Sequence, residues 1–317
     1  MNTLVEARHP LFRTLGPILI AAVTSAGPAL AQELEPRLYQ NAPVGFNALV
    51  LSYGYSAGNF LVDSSLPIEG AKAELHGVAI GYVRSLGLFG KSAKLDVVLP
   101  ISWGTFEGVV AGEFRTRKPF GLADPRFRLA VNLYGAPALS VREFGRYRQK
   151  TILAASIQIA APLGQYDPDR LVNLGANRWS FRPEVGVSNA RGRWYFEVAA
   201  GAWLFTENSD YYGGSSLTQD PLYFVKGDVI YGFKPGVWLA LNYGFATGGE
   251  TRVSDASAAT LQRNSRLGVT FSFPVTRANS MKVVWTSGLA TRLGADFDSV
   301  SVLYQYTWVG AGARGRQ

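Results

Sequence analysis

Apolar and other residues alternate with a period of two along almost the whole chain after Gln32. In residues 126–133, Phe127, Leu129, Val131 and Leu133 form one apolar face, and Arg126, Arg128, Ala130 and Asn132 form the other. Alternation of this kind is the signature of β-strands with two different faces. The apolar faces carry many aromatic residues near the strand ends, and the opposite faces mix small, polar and charged residues. That combination is typical of lipid outside a barrel and a polar lumen inside it.

Twelve segments follow this pattern, and each is about as long as a tilted strand that crosses a bilayer. They are residues 45–56, 73–86, 92–104, 126–135, 151–162, 178–189, 193–206, 221–233, 236–246, 264–274, 280–290 and 297–308. An even number of strands places both termini on the same side of the membrane. The sequence therefore predicts an all-β fold, a transmembrane up-and-down antiparallel β-barrel of about twelve strands over residues 45–308.

The connections between these segments alternate in length. The long ones, residues 57–72, 105–125, 163–177, 207–220 and 247–263, are predicted to face the cell exterior, opposite short periplasmic turns such as 190–192 and 234–235. Two links do not follow this rule. The link 291–296 is short although it is predicted to be external. The basic link 136–150 is long although it is predicted to be periplasmic, and we expect a short helix or loop at the membrane face there.

The first 31 residues have the order of a secretory signal peptide. Arg8 and Arg13 precede the apolar run Leu15–Val23, and Ala29-Leu30-Ala31 resembles a cleavage site. Residues 32–44 are then a short N-terminal segment, too short for a plug domain. Residues 309–317 form a C-terminal extension after Trp308. The predicted location is the cell outer membrane.

Composition excludes several functional classes. The chain has no cysteine, so disulfides and cysteine nucleophiles are excluded. Its net charge of +8 comes from scattered residues without a basic block, and no nucleic-acid partner is predicted. No spacing of ligands indicates a metal or another cofactor. His76 is the one histidine left after the signal peptide, and no serine or aspartate partner is evident. We therefore predict no catalytic residues and no enzyme, with a barrel enzyme acting on lipids as an alternative.

Strand parity predicts which charged residues face the lumen. The predicted permeation path consists of Asp96, Arg126, Arg128, Arg178, Arg182, Glu184, Arg193, Glu197, Lys226, Asp228, Arg266 and Lys282. Basic residues outnumber acidic ones in this set, which indicates either an anion-favouring path or Arg–Glu pairs that fill the lumen. Five inward aromatic residues could form a hydrophobic reception site near the external end or fill space: Tyr195, Trp203, Phe205, Phe224 and Trp238.

Residues 121–139, GLADPRFRLAVNLYGAPAL, resemble a family named for the MetA pathway of phenol degradation. Further matches are YQNAPVGF at 39–46, VLPISW at 98–103, NLGANRWSFRPEVGV at 173–187, WLFTEN at 203–208, GGET at 248–251 and YQYTW at 304–308. The resemblance implies an outer-membrane barrel that transports small organic molecules, among them aromatic or hydrophobic ones. The implied partners are outer-membrane lipids, the solute and the barrel-assembly machinery. A structural barrel with a filled lumen remains the other alternative.

Overall fold

The computed structural model describes residues 34–61, 68–110, 112–170, 172–254, 256–257, 261–292 and 294–310. The signal-peptide prediction and most of the C-terminal extension lie outside these residues. Twelve long strands form one sheet that closes on itself. They are β1 (Phe46–Leu61), β2 (Ile68–Leu88), β3 (Lys91–Val110), β4 (Arg126–Tyr134), β5 (Thr151–Ala160), β6 (Ser180–Arg191), β7 (Trp194–Phe205), β8 (Leu222–Lys234), β9 (Val237–Gly248), β10 (Gln262–Pro274), β11 (Asn279–Thr291) and β12 (Gly294–Val309).

Each strand pairs in antiparallel orientation with its neighbours in the chain, and β1 pairs with β12 to close the barrel. The closing register runs from Phe46 opposite Val309 to Leu61 opposite Gly294. Closure removes the unpaired edges that a membrane would not tolerate. All twelve predicted strands are confirmed, with ends that differ by a few residues. The last strand includes Val309, which the sequence had assigned to the C-terminal extension.

The two ends of the barrel differ in their connections. At the turn end, tight turns join β2 to β3, β6 to β7 and β8 to β9, and positive φ angles at Gly90, Gly192 and Gly236 make these reversals possible. At the loop end, the long links contain short strands that the sequence did not predict. Glu113–Arg117 and Phe120–Leu122 extend the sheet beside β3. Asn208–Tyr211, Ser215–Gln219, Thr251–Val253 and Ala256–Ser257 form a separate small sheet.

A short helix, α1 (Val141–Phe144), lies in the basic link between β4 and β5. Ser140 caps it, because its hydroxyl accepts from the Glu143 backbone while the Glu143 carboxylate accepts from the Ser140 backbone. A short helix or loop at the membrane face was predicted here. Phe144 instead packs on Phe46 and Val83, whose side chains face the barrel interior. The link therefore folds beneath the lumen at the turn end.

The outer surface of the barrel is apolar, with aromatic residues concentrated towards both ends. Tyr306 and Trp308 lie near the turn end, and Tyr55, Trp103 and Phe120 lie near the loop end. Such belts are typical of a barrel that sits in a bilayer. Among the described residues, no helix is long and apolar enough to cross a membrane. One further short helical element, the 3₁₀ turn Tyr212–Gly214, lies in a link at the loop end.

Candidate functional site

The lumen collects the charged residues of the barrel wall. Ten of the twelve predicted path residues are buried in the barrel interior: Asp96, Arg126, Arg128, Arg182, Glu184, Glu197, Lys226, Asp228, Arg266 and Lys282. Arg178 lies just before β6 and is half-buried. Arg193 is exposed at the turn end, because it belongs to the β6–β7 turn rather than to a strand. Strand alternation therefore does not determine where the Arg193 side chain points, and this residue lies at the mouth of the lumen.

The lumen also contains residues 34–45, here called the N-terminal segment. From the sequence, residues 32–44 were expected to be a short segment without a role, too short for a plug domain. Its side chains are nevertheless buried at Leu34, Glu35, Leu38 and Tyr39. The Leu38 carbonyl oxygen accepts a 2.6 Å hydrogen bond from Lys94 Nζ on β3. A segment of this length can reach several strands of the wall because a lumen of twelve strands is narrow.

Glu35 places a carboxylate beside the guanidinium of Arg128 on β4. Arg128 also donates from Nε to Asp96 Oδ2 of β3 at 2.7 Å, so one arginine lies between two carboxylates. All three side chains are almost fully buried. A buried charge is costly unless it is paired, and this arrangement pairs a cation of the wall with an anion of the N-terminal segment.

Two further contacts attach the N-terminal segment to β6 and β7. The Tyr39 hydroxyl donates to Glu184 Oε1 at 2.6 Å, and Glu184 also forms ion pairs with Arg182 at 2.8 Å and Lys226 at 3.1 Å. The Arg37 backbone N–H donates to Glu197 Oε2 at 2.7 Å. The acidic residues of the wall therefore serve as acceptors for the segment as well as partners for neighbouring cations.

Two glycines of the wall provide room for the N-terminal segment. A Cβ atom at Gly186 would lie 2.3 Å from Cε2 of Tyr39, and one at Gly268 would lie 2.9 Å from Cδ1 of Leu34. Real side chains do not approach so closely. At Gly186 the rigid Tyr39 ring would have to move, whereas at Gly268 the close atom is the terminal methyl of a flexible leucine side chain, which can shift.

The five inward aromatic residues form two groups instead of one. Trp203, Phe205 and Phe224 pack together near the loop end, where Arg182 lies 4.7 Å from the Phe224 ring centroid. Tyr195 and Trp238 pack near the turn end. The prediction of one reception site near the external end is wrong for this second pair, because β7 and β9 carry those residues at their turn-end termini.

Loops cover the aromatic group at the loop end. Arg178 lies 4.5 Å from the Phe205 ring centroid and donates a hydrogen bond to Gln219 of the small sheet. Asp124 accepts backbone N–H bonds from Gly164 at 2.9 Å and Ala176 at 2.8 Å, which joins two of the links. Burial raises the pKa of Asp124 above its ordinary value, and these backbone donors oppose that shift.

His76 faces outward on β2, within the aromatic belt at the loop end. Its Nδ1 atom lies 2.8 Å from the Tyr53 hydroxyl, and its ring stacks on Trp103 with centroids 5.6 Å apart. Its one hydrogen-bonding contact given by the structure is this tyrosine, with no serine or carboxylate among its described contacts. Within the described ranges, no group of three or more His, Cys, Asp or Glu residues could hold a metal ion.

Sequence reasoning missed three buried charged residues, Glu35, Arg37 and Lys94, and the hydroxyl of Tyr39. Lys94 has the same parity as Asp96 and could have been found from the alternation of β3. The other three belong to a segment without a repeating pattern. Among the described residues, the fully buried charged side chains number eight basic and five acidic.

The geometry defines a class of protein. A closed twelve-stranded antiparallel barrel with an apolar belt outside and charged residues inside is a β-barrel of the outer-membrane type. The chain belongs to the family described as "Putative MetA-pathway of phenol degradation", whose profile matches residues 52–305. This confirms the resemblance seen in the sequence.

Two solved structures share the fold. The COG4313 outer membrane channel from Pseudomonas putida F1 is 20% identical with a TM-score of 0.73, and the match covers 87% of this chain and 100% of that chain. The beta domain of the Bordetella autotransporter Brka is 11% identical with a TM-score of 0.51, and the match covers 83% and 100% of the two chains. No curated protein matches the sequence. The barrel prediction is therefore confirmed by the fold of solved outer-membrane proteins.

Proposed function

We propose that this protein is an outer-membrane channel for the passive uptake of small organic molecules. The observation that carries the proposal is the contrast between an apolar outer surface and a lumen lined with charged side chains. An apolar exterior suits lipid, and a charged interior suits hydrated or polar solutes. In this proposal the loop end faces the outside of the cell and the turn end faces the periplasm, and outer-membrane lipids surround the belt. The barrel-assembly machinery inserts the chain.

The lumen favours anions in this proposal, because basic side chains outnumber acidic ones. A low-dielectric wall focuses the field of such an excess along the bore. Reversal potentials in planar bilayers across a potassium chloride gradient test this directly. We expect chloride to permeate better than potassium, and Arg178→Gln to shift the ratio towards cations. A preference for cations in the unmodified channel would contradict the proposal.

Solute passage requires the N-terminal segment to move, since it crosses the lumen and contacts β3, β4, β6 and β7. The chain contains no cysteine, so a thiol pair can be introduced cleanly. Leu38 and Ala154 belong to one packed cluster, and Leu38→Cys with Ala154→Cys can be bridged by a short bifunctional thiol reagent. We expect bridging to suppress solute flux into liposomes, whereas either single variant treated with the same reagent keeps it. Undiminished flux after complete bridging would exclude this movement as a requirement.

We propose further that the protein is not an enzyme. His76 lies among aromatic side chains, where an imidazole is an interfacial residue. The variant His76→Ala should leave solute flux unchanged, and the unmodified protein should release no fatty acid from phospholipid micelles. Hydrolysis that disappears in His76→Ala would establish the enzyme alternative instead.

A further inference from the structure

A cavity of about 430 Å³ opens at the turn end of the barrel, between the N-terminal segment and two turns of the wall. Residues of the β6–β7 turn, including Arg193, line one side. Residues of the β8–β9 turn, including Lys234, line another, and Arg37 of the N-terminal segment completes it. The cavity has the volume of a site for a small organic molecule.

The lining of this cavity is cationic. Arg37, Arg193 and Lys234 contribute three positive charges, and none of the described residues that line the cavity is an aspartate or a glutamate. The nearest carboxylate of β7, Glu197, already accepts from the Arg37 backbone and from the Ser188 hydroxyl at 2.8 Å. Three cations that converge on one space without an anion in its lining favour an anionic occupant.

Arg37 is the buried cation of this cavity, and neighbouring side chains fix its position. Its side chain is only 8% exposed, and its Nε has no hydrogen-bond partner among the described residues. The guanidinium lies 4.6 Å from the ring centroid of Tyr195 and 5.5 Å from that of Trp238. These two rings hold the guanidinium in place by cation–π contact. The Arg37 side chain forms no ion pair with a carboxylate of the described residues. A buried cation without a paired anion is costly, and an anion bound in the cavity would offset its charge.

We propose that this cavity binds a small aromatic carboxylate at the turn end of the lumen. The carboxylate lies within reach of the charges of Arg37, Arg193 and Lys234, and the ring of the ligand packs against Tyr195. This inference rests on the proposed function. It adds a substrate class to that function, and a binding site that the solute occupies before it leaves the lumen.

Calorimetric titration of the folded protein in detergent micelles tests the proposal with benzoate as the probe. We expect benzoate to bind more tightly than acetate, which lacks the ring, and than benzamide, which lacks the charge. The double variant Arg193→Gln and Lys234→Gln changes only exposed turn residues, and we expect it to weaken benzoate binding about tenfold. Arg191→Gln is the control for the Arg193 substitution, because it removes one charge at the end of β6, beside the same turn, from a residue outside the cavity lining.

The outcomes separate this inference from the channel proposal. Equal affinity for acetate and benzoate would overturn the aromatic part, and equal affinity for benzamide would overturn the carboxylate part. An unchanged affinity in the double variant, or the same loss in Arg191→Gln, would overturn the assigned location. Binding without flux into liposomes would contradict the channel and leave the site standing. Flux of benzoate without measurable binding would contradict the site and leave the channel standing.

Discussion

The lumen has two walls of different character. The first wall, β1, β2, β11 and β12, presents mainly small, apolar and uncharged polar residues, with Lys282 as its one buried charge among the described residues. Val50, Ala79, Val284 and Leu303 pack into one cluster there with Val98 of β3. The second wall, β3 to β8, presents the buried charged residues that pair with one another and with the N-terminal segment. Both walls have the same strand geometry and the same alternation, so the contrast arises only from the inward residues.

This contrast explains why the N-terminal segment lies where it does. Glu35, Arg37 and Tyr39 all bond to residues of the second wall, to Arg128, Glu197 and Glu184 respectively. Polar contacts of this kind are directional. The first wall hydrogen-bonds the segment at its C-terminal end, where the Gly45 N–H donates to the Ser85 carbonyl oxygen of β2 at 3.1 Å. We infer that the second wall anchors the segment and that the segment in turn supplies partners for charges that would otherwise be costly in a narrow lumen.

Removal of the N-terminal segment should have the largest effect. Deletion of residues 34–44 leaves Arg128, Glu184 and Glu197 without the partners that the segment provides. We expect single-channel conductance to increase several-fold because the lumen is cleared, and the free energy of unfolding to fall by about 3–5 kcal/mol because buried pairs are broken. Planar-bilayer recordings and urea titrations in micelles measure the two effects. An unchanged conductance would show that the segment does not lie in the conducting path.

One substitution in each wall should separate their roles. Arg128→Ala leaves Glu35 and Asp96 buried without their cation, and we expect it to lower the free energy of unfolding by about 3–5 kcal/mol. Val50→Ala removes only apolar packing from the first wall, with an expected cost of about 2 kcal/mol. Urea titration compares the stabilities. The contrast between the walls would fail if Val50→Ala were the more damaging variant, or if it alone changed conductance.

A methyl group at Gly186 should disturb the N-terminal segment without changing any charge. The added Cβ atom would overlap the Tyr39 ring, so Gly186→Ala should displace Tyr39 from Glu184 and raise conductance, by about twofold if the segment shifts only locally. Gly227→Ala is the matched control, because its Cβ atom would meet nothing closer than 3.6 Å. Single-channel recordings compare the two. Identical conductance in both variants would mean that Tyr39 does not limit the path.

The sequence was sufficient for the barrel and for most of its lining. Alternation identified all twelve strands because a lipid-facing surface and a polar lumen enforce opposite residue types at successive positions. It could not place the N-terminal segment, because Glu35 and Tyr39 find their partners more than ninety residues away and no pattern marks either one. The sequence also left open which residues pair: Arg182 pairs with Glu184 of its own strand, whereas Arg128 pairs with Asp96 of the neighbouring strand β3.

The smallest effect is expected at the turn where the two walls meet. Phe89 joins β2 of the first wall to β3 of the second, and it is fully exposed with a φ of 49°. A positive φ strains a bulky side chain, and asparagine adopts this conformation more readily. Phe89→Asn should therefore raise the free energy of unfolding by about 1 kcal/mol and leave conductance unchanged.

Urea titration of Phe89→Asn, alone and combined with Gly186→Ala, measures both the gain in stability and its additivity. Additive effects are expected because the turn does not contact the N-terminal segment at Tyr39. A non-additive result, or a change in conductance, would show instead that the junction of the walls and the segment move as one unit.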